Sequence, residues 1–286
     1  MTAALARWWF APMPRARIAW LRRIAYGFLF VDLLLTTAWV RDHATTPTDL
    51  YAPLLVGRLL PLPVPTPAVV WAVFAGVLVA AAAGLSGRAP RLVGWAVLAL
   101  YLQWMVIAFS YGKVDHDRFG FLVLLAVLPT VGAASTRDGT VDEASGWAIR
   151  CVQVACVATY LFAVWGKLRF GGVEWLGSAA LLGAVLRRGT AIGDVLATRP
   201  WTLVAAQWVI VVAELLSPLL LVRGRLGRVA VLVAYGFHAA VFLTVRIVFL
   251  PHCVAMLAFL PLERLGRQAA PSDAGVSLAA SSSMAR

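Results

Sequence analysis

Lysine is almost missing from this chain. Of its 25 basic side chains only Lys113 and Lys167 are lysines; the other 23 are arginines. Charge of either sign is also scarce, at 13% of residues, about half the ~25% of an ordinary soluble domain. Cysteine is limited to Cys151, Cys156 and Cys253, an odd number with no CxxC pair. That points away from a disulfide or thiolate framework and toward small buried hydrophobes. The four histidines, at 43, 116, 238 and 252, show no short metal-ligand spacing, so no metal site is expected. No internal repeat is evident.

Apolar length takes the place of charge. The 286 residues are 62% hydrophobic, with a mean hydropathy of +0.84. A span needs about 20 apolar residues, and candidates occur at 18–39, 68–85, 92–111, 119–134, 148–166, 201–222, 229–245 and 247–262. The expected fold is therefore all-α, a polytopic transmembrane helical bundle of about eight spans. The apolar stretch 175–186 is too short to cross and is expected as a re-entrant or interfacial helix. Residues 1–17 form a basic N-terminal segment, 18–265 the membrane domain and 266–286 an Ala/Ser-rich tail expected to be disordered.

In such a protein the formal charge of +12 speaks of loops against anionic lipid, not of nucleic acid. Placing both termini in the cytoplasm puts 15 basic residues inside and 10 outside. The cell membrane is the expected location. The long loops 41–67 and 169–200 then face outward.

Ionisable side chains inside spans normally face the bundle interior. Asp32 is expected to pair there with an arginine. Gln153, Tyr160 and Lys167 lie seven apart on one helical stripe, as do Gln207 and Glu214; Tyr235, His238, Phe242 and Arg246 share a third. Such stripes serve as interhelical hydrogen-bond glue or as the lining of a site. Glu214 either pairs with a base or stays protonated, and is expected to lie deeper than the site, with Tyr235. Around His116, the side chains Asp115, Asp117 and Arg118 read as a solvated helix entry. Lys167 stands out because a lysine in an apolar site can give up its proton and arginine cannot.

The segments "VDHDRFGFLVLLAVLP", "YLFAVWGKLRFGGVEWLGSA", "AELLSPLLLV" and "FHAAVFLTVRIVFLPH", in that order, resemble the vitamin K-dependent gamma-carboxylase family, also called the horizontally transferred transmembrane (HTTM) domain. The most specific element is carried by Tyr160, Ala163, Lys167, Leu168, Trp175 and Gly177. The resemblance implies a reduced naphthoquinone, a vitamin K-like hydroquinone, as cofactor, with O2 and CO2. It also implies carboxylase/epoxidase-type chemistry with Lys167 as base and His116 as its hydrogen-bond partner or proton relay. His238, Tyr160 and Trp175 would line the quinol pocket. A base role requires that no ionised carboxylate lie near Lys167, so Glu174 should point away.

Two features depart from the family. The motif reads Val-Trp-Gly-Lys where many members carry a small Ala-Gly pair. The animal enzyme also has a large lumenal region after its bundle, whereas some 24 residues follow Leu262 here. A soluble or membrane partner is therefore expected to supply an outer domain, or the substrate is small. The rival reading is a non-catalytic membrane protein that binds a quinone or lipid, or scaffolds a redox partner.

Overall fold

The computed structural model describes residues 2–112 and 114–268. Lys113 and residues 269–286 of the expected disordered tail lie outside the described residues. Residues 266–268, placed in that tail by composition, instead finish a short helix.

Thirteen α-helices follow one another among the described residues: α1 (Ala3–Trp9), α2 (Arg15–Val31), α3 (Leu55–Leu59), α4 (Pro67–Leu85), α5 (Pro90–Phe109), α6 (Phe119–Val127), α7 (Glu143–Gly171), α8 (Ala180–Arg188), α9 (Ala191–Ala197), α10 (Pro200–Leu215), α11 (Arg225–Val245), α12 (Leu250–Met256) and α13 (Glu263–Gln268). The described strand is limited to an antiparallel clip, β1 (Met13–Pro14) against β2 (Val141–Asp142), which ties the start of α2 to the start of α7.

Local sequence sets the helix ends. The Thr66 hydroxyl accepts from the Val69 N–H ahead of Pro67 and starts α4. The Asp142 carboxylate does the same for α7, accepting from the Ser145 N–H at 2.7 Å. At the far end of α7, Gly172 takes a φ of +64°, which a side chain would resist.

Four helices, α4, α5, α7 and α11, are long and apolar enough to cross a bilayer; α9 and α10, bent by 109° to each other, make a fifth if counted as one broken span. Their outer faces carry the apolar surface a lipid solvent requires: Val79 is 70% exposed and Leu232 71%. The structure thus supports a helical membrane protein with four or five such spans, fewer than the eight expected. The shortfall has local causes. After Val31 the first span opens into a wide π-type turn at Asp32–Thr36, where the Asp32 carbonyl accepts from the Thr37 N–H. The fourth keeps nine α-helical residues and tightens into a 3-10 turn around Pro129; the sixth does likewise at Pro218, and the eighth at Leu257–Phe259. The stretch read as one short helix at 175–186 divides into a 3-10 turn, Val173–Gly177, and α8.

The main core joins α2, α4, α5, α6, α7 and α12 around Trp104, Tyr26, Tyr101 and Phe121, all fully enclosed. A much smaller cluster, Val185, Leu203 and Val245, holds α8, α10 and α11 together. The candidate site lies between these two bodies of packing.

Candidate functional site

The structure brings the expected site residues together. His116, Tyr160, Lys167, Trp175 and His238 line one cavity of about 700 Å³, with walls otherwise mostly apolar from α7, α8, α10 and α11. This is within the usual range for a small-ligand pocket.

Each residue arrives by a separate route. Tyr160 and Lys167 are two turns apart on α7, about 10 Å along the axis at 1.5 Å per residue. His238 comes from the third turn before the end of α11. The 3-10 turn that precedes α6 supplies His116, and the one after Gly172 supplies Trp175.

At the C-terminal end of the α7 stripe, the Lys167 Nζ donates to both Glu214 carboxylate oxygens, each at 2.7 Å, and more weakly to the Ala163 carbonyl at 3.5 Å. Its ammonium also sits 5.6 Å from the centre of the Trp175 ring. Two expectations fail here. Lys167 is not isolated from carboxylates, and Glu214 is not a deeper structural residue. Seven-residue spacing places Glu214 on the same face of α10 as Gln207, but cannot say that this face meets α7. Gln207 serves structure: its side-chain N–H groups donate to the Trp175 carbonyl at 2.7 Å and the Leu176 carbonyl at 3.2 Å, while its oxygen accepts from the Leu181 N–H. It thereby fixes the turn that carries Trp175.

Two helical turns along α7, the Tyr160 hydroxyl lies 2.7 Å from His238 Nε2. His252, from α12, packs edge-on against Tyr160 with ring centres 4.9 Å apart, and 5.2 Å from His238. His252 is 1% exposed, and both its ring nitrogens lack a hydrogen-bond partner, as does His238 Nδ1. Buried polar atoms are paired in the great majority of cases, and both of these histidines line the cavity. The sequence signal for His252 was only that, with both termini placed in the cytoplasm, the start of the expected span 247–262 falls toward the same membrane face as His116.

His116 lies in the turn ahead of α6, its ring 6.2 Å from Phe249. Burial, aided by the Lys167 charge and opposed by Asp115, lowers its pKa below the ordinary histidine value, so at neutral pH it is an uncharged donor and acceptor. Its neighbours are not the solvated entry expected: Asp117 and Arg118 are 7% and 5% exposed. Arg118 reaches inward, where its Nη1 donates at 2.8 Å to each oxygen of Asp32 and to the Tyr101 hydroxyl. This is the arginine partner anticipated for Asp32. Glu174 is not the carboxylate on Lys167. Tyr235 donates to the Cys253 carbonyl at 2.9 Å and stays structural.

The cysteines are all free, and the described residues hold no group of three or more metal-ligating side chains. No protein-family model, curated protein or solved structure matches the chain.

Proposed function

We propose that this membrane protein binds a lipid-soluble hydroquinone, or an amphiphile with the same polar pattern, in the cavity between α7, α10 and α11. The observation that carries this reading is the placement of two polar groups about two helical turns apart on α7, Lys167–Glu214 and Tyr160–His238–His252, within an otherwise apolar cavity. A ring with an oxygen at each edge fits between them, and the apolar walls suit its tail. The resemblance to the gamma-carboxylase membrane domain favours the same ligand class.

When bound, a reduced naphthoquinone would supply the reducing chemistry toward O2 that the resemblance implies, with CO2 as co-substrate in a carboxylase. The chain's own part is binding and proton transfer. Lys167 and Glu214 form a hydrogen-bonded pair at one end, so the pair acts as the proton acceptor, with the proton held on a Glu214 oxygen and the lysine orienting it. His116 and His252 supply the remaining hydrogen bonds. Apolar walls exclude water. The bidentate Lys167–Glu214 contact is also the observation that favours the second reading, binding without turnover, since a carboxylate at this distance stabilises an ammonium.

One experiment separates the two readings. Membranes containing the wild type, Lys167→Arg and Glu214→Gln at matched expression are assayed for oxygen-dependent turnover of a reduced naphthoquinone and for its retention. A fall in turnover of about 100-fold or more in both variants supports the proton-acceptor pair. Retention without turnover in the wild type establishes the binding reading, and neither retention nor turnover removes both.

For topology, we read α2 and α10, each with its following turn, as further crossings. The short helices α6 and α12, packed on each other, complete the count of eight as half-length segments inside protein. Both termini are placed in the cytoplasm. Cysteines introduced at Thr46 and Thr190 should then label from outside without permeabilisation.

A further inference from the structure

At the opposite end of the bundle from Lys167, a groove of about 420 Å³ opens between the starts of α2, α7 and α11. Its charged lining is basic: Arg17, Arg150, Arg223 and Arg228, with no acidic side chain among the described lining residues.

Arg17 is already neutralised, its guanidinium donating twice to Glu263 at 2.8 Å. Arg150 is not. It is 5% exposed, donates to the neutral Gln153 side chain at 2.7 Å and lies under the Trp8 ring at 4.5 Å, while its Nε has no partner. A guanidinium buried without a carboxylate is a costly arrangement that an anion relieves. Arg223 and Arg228 add two exposed charges that no described carboxylate pairs.

The same groove holds the start of α11. That 21-residue helix has no side-chain cap on Gly224 and no acidic residue in its first turn, so its free N–H groups and dipole also favour a negative ligand. The remaining walls are apolar and run onto the lipid-facing side of α11, where Leu232 is exposed.

We propose that this groove holds an anionic phospholipid, its phosphate among Arg150, Arg223 and Arg228 and an acyl chain along Val231 and Leu232. Arg150 explains why a site is built here and not merely a charged surface: its charge is complete only with the lipid in place. The site is independent of the quinol reading, since it shares no lining residue with that cavity.

The test uses the full chain purified in a zwitterionic detergent. Its thermal midpoint is followed on addition of phosphatidylglycerol, phosphatidylcholine or inorganic phosphate. Phosphatidylglycerol is expected to raise the midpoint, and the other two to leave it unchanged. In Arg223→Gln/Arg228→Gln the half-saturating phosphatidylglycerol concentration should rise about tenfold or more, and in Arg150→Met the shift should largely vanish. Where Arg150→Met does not fold, the double variant decides. An equal shift with phosphatidylcholine overturns the proposal, as does an undiminished shift in the double variant. Inorganic phosphate reproducing the whole shift also overturns it, in favour of a site for a soluble anion.

Discussion

Two of the ion pairs among the described residues, Asp32–Arg118 and Lys167–Glu214, are built differently. Asp32–Arg118 is sealed, with side-chain exposures of 0% and 6%. Both Asp32 oxygens are engaged by Arg118 and receive further hydrogen bonds from Thr36, Thr37 and Tyr101, and Trp104 ties down the Thr37 hydroxyl at 3.0 Å. Lys167–Glu214 has the same charges and a similar distance, but Lys167 remains 21% exposed and the pair borders a cavity. A saturated ion pair has nothing left to offer a ligand, whereas one that faces a cavity with unpaired histidine nitrogens nearby does. The contrast separates a structural clamp from a candidate site better than the residue types do.

The comparison is broken most strongly on the sealed side. Arg118→Leu leaves Asp32 buried and unpaired, and about 3–5 kcal/mol of stability should be lost. Little folded protein is expected after detergent extraction, as read by size-exclusion recovery and thermal unfolding. Replacing both members of the cavity pair, Lys167→Met with Glu214→Leu, should by contrast change stability by less than about 1–2 kcal/mol, because no lone charge remains and few other bonds are lost. A thermal midpoint that falls as far as in Arg118→Leu would mean that Lys167–Glu214 is a clamp too.

His252→Phe sharpens the comparison from the ligand side. It removes two unpaired nitrogens from the apolar interior, so the protein should be as stable as the wild type or more so. Its affinity for a reduced naphthoquinone should fall about fivefold to tenfold, for one hydrogen bond of about 1 kcal/mol. Equilibrium binding with unchanged affinity would return His252 to simple packing.

The smallest effect concerns the end of the chain away from the cavity. Burial by itself raises the Glu263 pKa, but hydrogen bonds from Arg17 and its own backbone, with the charges of Arg17 and Arg264, outweigh it and leave the value below an ordinary glutamate's. A depressed carboxylate pKa stabilises the fold above the unfolded value and loses that contribution as pH falls through the folded one. Mild acid, below the ordinary glutamate range, should therefore loosen α13. Thermal midpoints measured against pH should show a drop that Glu263→Gln abolishes.

Much of the candidate site was legible in the sequence because α7 is a single long helix. Spacing by seven on it places Gln153, Tyr160 and Lys167 on one face whatever surrounds it. The partner of Lys167 was not legible, since the period of α10 sets which of its residues share a face but not the helix that face meets. Arg118 was misjudged for a related reason. Preceded by Asp115 and Asp117, it looks solvated in one dimension, and only the approach of α2 and α5 carries it to Asp32 and Tyr101. The helices long enough to cross number fewer than the eight expected where Asp32, Pro129 and Pro218 shorten helices within otherwise continuous apolar runs.

What the sequence by itself determined is the helical class: apolar length and low charge favour helices long enough to cross a bilayer, and the caps and glycines set many of their ends. Only the tertiary structure decided which polar residues are clamps and which face open space. A side chain's neighbours across a helix interface come from packing between segments distant in the chain, and no local period encodes them. Glu214 meets Lys167 across 47 residues and Arg118 meets Asp32 across 86, and those encounters separate the sealed pair from the one that borders the cavity.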